Sequence, residues 1–293
     1  MMSEFSSSWL DIREGADARA RNVDLVTSLS AYVDELAEIH LVDLGAGTGG
    51  LFRYLAPRLG GHQTWRLVDN SASLLEQMEN RLTGWAGQHE LIVNSKVGTW
   101  YASNSVREYR VDTEIWDFAS GFTGSPIHPS VDVITASAFI DLVSLSWIEQ
   151  LVAFCKKVQT SFYGCLTYNG IIEWNPGHSC DGEFLQLLNN DQRRDKGMGP
   201  ALGPDSFQVI NDSFMSNGFI VRTGSSPWIL DSKDCQLQKA LLLQWVKLLE
   251  QKTGWPAWKI NEWNEFHLAA IVEGKSQLKV GHQDIWAVPA DRT

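Results

Sequence analysis

Apolar and polar positions along this chain change period several times, and each change marks an element. Residues 9–38 carry Trp9, Leu10, Ile12, Ala16, Val23, Leu25, Val26 and Leu29 among charged residues, at a spacing that predicts helix. A short apolar run, Leu41-Val42-Asp43-Leu44, then enters Gly45-Ala46-Gly47-Thr48-Gly49-Gly50. Helical spacing resumes at once with Leu51, Phe52, Tyr54, Leu55 and Leu59. A second apolar run, Trp65-Arg66-Leu67-Val68, ends in Asp69, and Asn70-Ser71 is placed to cap a helix reaching about Trp85. Residues 89–93 and 107–111 read as strands. The run Val131–Phe139 is almost wholly apolar, as a central parallel strand should be. A helix over 146–157 and a strand over 161–168 follow. Asn169-Gly170 is a favoured two-residue hairpin turn, which predicts a return strand over 171–174. A short helical piece around 184–188, a helix from Asp205 to about Asn217 and a strand over 219–223 come next. Two helices, about 233–251 and 256–274, precede a last strand over 284–288.

Strands alternating with helices predict a doubly wound α/β fold with a mostly parallel sheet, and its first glycine turn lies where such sheets bind nucleotides. Gly45-x-Gly47-x-x-Gly50 formally matches the dinucleotide fingerprint, and Asp69 lies 19 residues beyond Gly50. A carboxylate there is placed to accept both hydroxyls of an adenosine ribose. Asp43 chooses between nucleoside cofactors. It stands two residues before the first glycine, where it repels a pyrophosphate and favours an ammonium or a sulfonium.

With these residues the sequence resembles the class I S-adenosylmethionine (SAM)-dependent methyltransferases. Val42–Gly49 matches their first motif and Leu67-Val68-Asp69 their second. The resemblance is specific over about 39–70, looser to 170 and topological beyond. It implies a seven-stranded sheet whose final strand inserts antiparallel, and SAM as cofactor. It places Asp43, Gly45, Ala46, Gly47 and Gly49 around the methionine part, Asp69 with Asn70 at the ribose, and Asp117 with Phe118 at the adenine. Ala136, in the fourth strand, belongs to the same set. Arg13 or Arg21, in a segment that covers the cofactor in many such enzymes, is placed to pair with the methionine carboxylate. One domain is expected over 1–293: a helical cover (1–38), a SAM-binding core (39–170), a substrate lid (171–204) and a C-terminal part of the sheet with a helical excursion (205–293).

Methyl transfer from a sulfonium needs alignment and exclusion of water, and a base only where the acceptor must lose a proton. Asp141, just past the fourth strand, is the catalytic candidate best placed by topology, and His178, beside Trp174, is a second. Arg193, Arg194 and Lys196, set among glycines, suggest with Trp174 a site for an anionic small substrate, since arginine forks bind carboxylate and phosphate. A solvated charge cluster explains the same basic residues equally well.

Composition narrows the partners. A net charge of −11 argues against a general nucleic-acid binder. Four scattered cysteines without metal-ligand spacing read as free thiols in a reducing compartment, and no metal is expected. The N-terminal residues lack the pattern of a secretory signal, and no run approaches the about 20 apolar residues that span a bilayer. A cytoplasmic enzyme acting on a small molecule is therefore expected. A nicotinamide-dependent oxidoreductase, and a SAM-binding protein without turnover, remain as other readings.

Overall fold

The structure, a computed structural model, describes residues 6–292 apart from Val97, Thr123 and Thr253. Two helices, α1 (Ser7–Ala20) and α2 (Val23–Val33), stand before the sheet, where the sequence pattern suggested one helical stretch. The break is at Arg21-Asn22. Asn22 caps α2 by accepting from the Leu25 amide at 3.1 Å, and its own amide donates to Asp284 at 2.8 Å.

The sheet contains β1 (Glu38–Leu44), β2 (His62–Asp69), β3 (Ile92–Val93), β4 (Thr99–Ser103), β5 (Glu108–Ile115), β6 (Val133–Ser137), β7 (Ser161–Asn175), β8 (Phe219–Ser225), β9 (Trp228–Leu230) and β10 (Gln277–Pro289). The order is β3-β4-β5-β2-β1-β6-β7-β10-β8, with β9 paired to β10. Strands β5, β2, β1, β6 and β7 pair in parallel, and β10 runs antiparallel to β7 and β8. The expected seven strands are all present. The sheet is ten-stranded among the described residues because a β3–β4 hairpin extends one edge and β9 adds a short segment at β10.

Strand parity builds the two layers, since successive side chains point to opposite faces. Leu41, Val133, Tyr163 and Trp286 join one core with Phe52, Trp85 and Leu29. Their neighbours Val42, Ile134, Phe162 and Ile285 join the other, with Trp147, Leu151 and Phe214. The helices covering these faces are α3 (Gly50–Leu55), α4 (Ala72–Gln88), α5 (Leu145–Val158) and α7 (Ser206–Ser216). A third cluster joins α6 (Asp181–Gln192), α8 (Cys235–Lys252) and α9 (Ala257–Val272) to the extended ends of β7 and β10 through Phe184, Trp245, Trp263 and Leu278.

One sequence expectation is corrected here. Asn169-Gly170 does not reverse the chain. Strand β7 runs through it to Asn175, because β10 continues alongside and keeps its amides and carbonyls paired. The register shifts between His282↔Tyr168 and Val280↔Ile172, so the extra residues form a bulge with Gly170 at φ +85°. The helical piece expected around 184–188 is the longer α6. Among the described residues no helix is long and apolar enough to cross a membrane.

Candidate functional site

The sheet order reverses between β1 and its neighbours β2 and β6, and the crevice at their carboxyl ends is the switch point of a doubly wound fold. Gly45, Gly47 and Gly49 carry the turn there at φ +65°, +56° and +80°. A Cβ at the first two would also crowd a neighbour, the rigid Phe139 ring more severely than the movable tip of Leu10. A Cβ on Gly45 would stand 2.7 Å from the Phe139 ring, and one on Gly47 would stand 2.8 Å from Leu10 Cδ1. Asp69, arriving on β2, fastens the turn. Its Oδ2 accepts from the Gly47 amide at 2.8 Å and its Oδ1 from the Ser71 amide at 2.9 Å.

A cavity of about 230 Å³ lies over this turn. Its floor is Asp43, Gly45, Ala46, Gly47 and Asp69, and Asn70 and Phe118 line one side. Ser137, Ala138, Phe139 and Leu142 form the wall after β6, and Leu10, Arg13, Glu14 and Asp17 of α1 form the roof, with Arg21 beside them.

Opposite charges meet deep in this cavity. Asp43 is 1% exposed and accepts from the Thr135 hydroxyl at 2.8 Å. Burial pushes its carboxyl up to about 7, against the pull of Thr135 and of the Arg21 charge, while Asp69 pushes the same way as burial. Arg21 is buried too, with its guanidinium 4.6 Å from the Tyr54 ring centroid and one NH₂ donating to Ser137 at 3.3 Å. Its Nε has no partner. Burial works against its charge, but the charge of Asp17 favours it and the guanidinium stays protonated. Asp69 is raised by burial, and the Ser71, Gly47 and Asn70 amides oppose the rise.

Asp141 lies in the 3-10 turn Ile140–Leu142, immediately past the cavity wall. It is buried, its Oδ1 has no partner, and burial pushes it up to about 6 against main-chain amides and the charges of Arg13 and Lys196.

Several residues singled out from the sequence stand elsewhere. Ala136 is buried within β6, paired with Leu44 and Gly164, one residue short of the cavity wall. Asp117 is exposed and caps a short 3-10 turn by accepting from the Ala119 amide at 3.0 Å, outside the residues that line the cavity. His178 sits in the loop before α6, its Nδ1 accepting from the Cys180 amide at 3.2 Å and its ring 5.1 Å from Phe266. Trp174 stacks on His267 at 4.2 Å in the helical cluster. The basic group is divided among acids. Arg193 forms a two-pronged pair with Asp205 at 2.8 and 3.1 Å, and Arg194 and Lys196 face Asp191 at 3.5 and 3.7 Å.

The roof and wall residues Leu10, Glu14, Arg53, Phe139 and Leu142 line the cavity without having been singled out. Phe139 and Leu142 were readable as the residues that follow the fourth strand. A helical cover over the site was implied by the resemblance, but Leu10 and Glu14 were not identified within it, because local spacing places them on a helix without showing which face meets the turn.

No protein-family model matches the chain, and no curated protein does. Solved structures do resemble it in outline. The YcgJ protein of Bacillus subtilis is 14% identical with a TM-score of 0.48, covering 92% of this chain and 99% of its own. A SAM-dependent methyltransferase from Geobacter sulfurreducens, in complex with S-adenosylhomocysteine, is 14% identical with a TM-score of 0.47 over 97% and 98%. One from Thiobacillus denitrificans, in the same complex, is 12% identical with a TM-score of 0.44 over 97% and 99%. At these values the comparisons add nothing to the topology itself. By its strand order, its antiparallel penultimate strand and the glycine turn at the switch point, the chain has the fold of the class I SAM-dependent methyltransferases.

Proposed function

We propose that this protein binds SAM in the cavity over the glycine turn and transfers its methyl group to a small molecule in the cytoplasm. The observation that carries this reading is that Asp43 and Arg21 line the same cavity. A buried acid and a buried cation with an unpartnered Nε face the same cavity, and they match the ammonium and carboxylate of an amino-acid moiety. Asp69 at the end of β2 accepts from ribose hydroxyls with its remaining lone pairs, and Phe118 packs against the base.

The bound sulfonium supplies an activated methyl carbon and a neutral leaving group. The chain's own part is to hold and to exclude. Asp43 and Arg21 fix the amino-acid end, Asp69 fixes the ribose, and α1 closes the roof against water. A pyrophosphate in the same place meets Asp43 at the turn, which counts against the nicotinamide reading.

Isothermal titration with S-adenosylhomocysteine (SAH) and with NAD tests the cofactor. Binding of the first and not the second is expected, and the reverse order overturns the proposal. Transfer of label from methyl-labelled SAM to any small acceptor separates an enzyme from a SAM-binding protein without turnover.

A further inference from the structure

Asp284 is a buried acid to which the cofactor reading gives no part. It lies in β10, fully buried, and takes three donors from three segments of the chain. Its Oδ2 accepts from the Asn22 amide at 2.8 Å, and its Oδ1 accepts from the Leu166 amide at 2.8 Å and from the Ser226 hydroxyl. Among the described residues no cation pairs with it. Three converging donors are the surroundings of an ionised carboxylate.

Two of these bonds lead to the cavity over the glycine turn. The pairing of β10 with β7 shifts between Gln283↔Thr167 and Ile285↔Gly164, so Cys165 and Leu166 bulge opposite Asp284 with Leu166 at φ +56°. The Cys165 carbonyl accepts from the Ala138 amide at 2.9 Å. Ala138, at φ +50°, and Ser137 belong to the cavity wall. Residues other than glycine keep such angles only where neighbours fix them. On the other side, Asn22 follows Arg21, which is extended between α1 and α2 at φ −53° and ψ 136°. Arg21 donates to Ser137 at 3.3 Å. The contacts close a ring that runs from Asp284 to Asn22, from Arg21 to Ser137, and from Ala138 through Cys165 and Leu166 back to Asp284.

Resting on the SAM reading of this cavity, we propose that Asp284 is a positioning residue for the cofactor's amino-acid end. It fixes both the backbone on which Arg21 stands and the wall that the guanidinium reaches, so that Arg21 is held ready for the ligand carboxylate.

The other arginines of the cavity show why Arg21 needs this hold. Asp17 grips Arg13 with two bonds, at 2.9 and 3.1 Å, and Glu14 grips Arg53 with two, at 2.9 and 2.7 Å. Arg21 lines the same cavity and is in no ion pair among the described residues. A guanidinium gripped by an acid of the protein has its fork occupied, and one left loose loses its aim. Asp284 acts through the main chain and leaves the fork to the ligand.

Calorimetric titration with SAH and with 5′-methylthioadenosine, which keeps base, ribose and sulfur but lacks the amino-acid end, separates this role from support of the fold. The wild type is expected to bind SAH at least tenfold more tightly, and R21Q to lose most of that preference. Proline's fixed φ suits the −69° of Asn22, and the extended Arg21 before it suits proline as well. N22P therefore deletes the amide that donates to Asp284, whereas N22A deletes the side-chain bonds alone. N22P and D284N should each weaken SAH at least fivefold and methylthioadenosine less than twofold. N22A should move the ratio of the two affinities less than twofold, and D284N should not move it further in the R21Q background. Methylthioadenosine binding reports folded protein, and N22P decides the matter if D284N does not fold. A ratio within twofold of wild type in folded N22P, or a D284N effect that adds in full to R21Q, overturns the proposal. A wild type that binds methylthioadenosine as tightly as SAH overturns it while leaving the cofactor bound. A wild type that does not bind SAH overturns the cofactor reading, and this one with it.

Discussion

A carboxyl group held near neutrality becomes a proton switch if it takes a cofactor's ammonium, and this is the part proposed for Asp43. Burial raises it to about 7, so at pH 6 it is largely protonated in the free protein. A ligand ammonium beside it favours the ionised form and lowers that value. SAH binding at pH 6 should therefore release a proton, and affinity should rise with pH up to about 7. Titration calorimetry in two buffers of different ionisation enthalpy reads this directly, and a heat independent of buffer contradicts it. The same shift has a stability consequence. The folded state holds its proton to higher pH than the unfolded chain, so the Asp43 contribution is greatest below about 4 and is lost as pH rises through about 7. Asp43→Asn should thus flatten the decline in stability between these values. Asp69→Ala removes the acceptor of the Gly47 and Ser71 amides as well as the proposed ribose contacts, and should weaken SAH by about 1–3 kcal/mol in calorimetry. Asp43, Asp69 and the glycines were legible in the sequence because they lie on two neighbouring strands whose ends must meet. Arg21 was legible only as one of two candidates, since a helix end shows its charge but not the cavity it faces.

Helix α1 is the element on which the roof of the cavity over the glycine turn depends. Few of its residues are buried, and polar contacts hold much of it. Arg53 of α3 pairs with Glu14 at 2.7 and 2.9 Å, Arg81 of α4 pairs with Asp11 at 2.7 and 3.0 Å, and Trp228 donates to Asp17 at 3.0 Å. These contacts are not equivalent. The Arg53 side chain is 9% exposed and also donates to the Thr48 carbonyl, so Glu14→Ala leaves a nearly buried guanidinium without its acid. The Arg81–Asp11 pair is more open, and such pairs contribute about 0.2–1 kcal/mol. Thermal melts should therefore show a larger loss for Glu14→Ala than for Asp11→Ala, and equal losses would contradict the assigned roles. A helix held this way should also open more readily than the strands beneath it. Hydrogen exchange should be faster in α1 than in β1, and SAH should slow it in α1. The hairpin expected at Asn169-Gly170 fails at this same scale. The dipeptide permits a reversal, but β10 lying alongside decides that the strand goes on.

At the scale of the molecule, the sheet carries the cavity over the glycine turn, and the helical cluster of α6, α8 and α9 packs behind α1 without contributing a residue to its lining. Trp263, fully buried, anchors that cluster by donating to Asp181 at 2.8 Å, and His267 bonds the same carboxylate at 2.8 Å. Trp263→Ala should cost about 3–5 kcal/mol of stability by denaturant titration, and SAH affinity of the folded fraction should not change. Local order was what the sequence by itself determined. Parity of apolar positions set which strand faces enter which core, the glycines set the turn, and two acids on consecutive parallel strands set which carboxylates line the cavity over it. Each of these depends on neighbours along the chain or on pairing that a parallel α/β pattern forces. The tertiary structure decided what depends on distant partners. It decided which residues of the expected α1 cover roof the turn and that Arg21 is buried there, carried the basic residues 193–196 onto Asp205 and Asp191, and set His282 of β10 near Arg13, more than two hundred and fifty residues earlier. The physical reason is the range of the interactions. Backbone propensity and burial period act over a few residues, whereas the charge left unpaired in a buried site depends on which remote side chains the fold places against it.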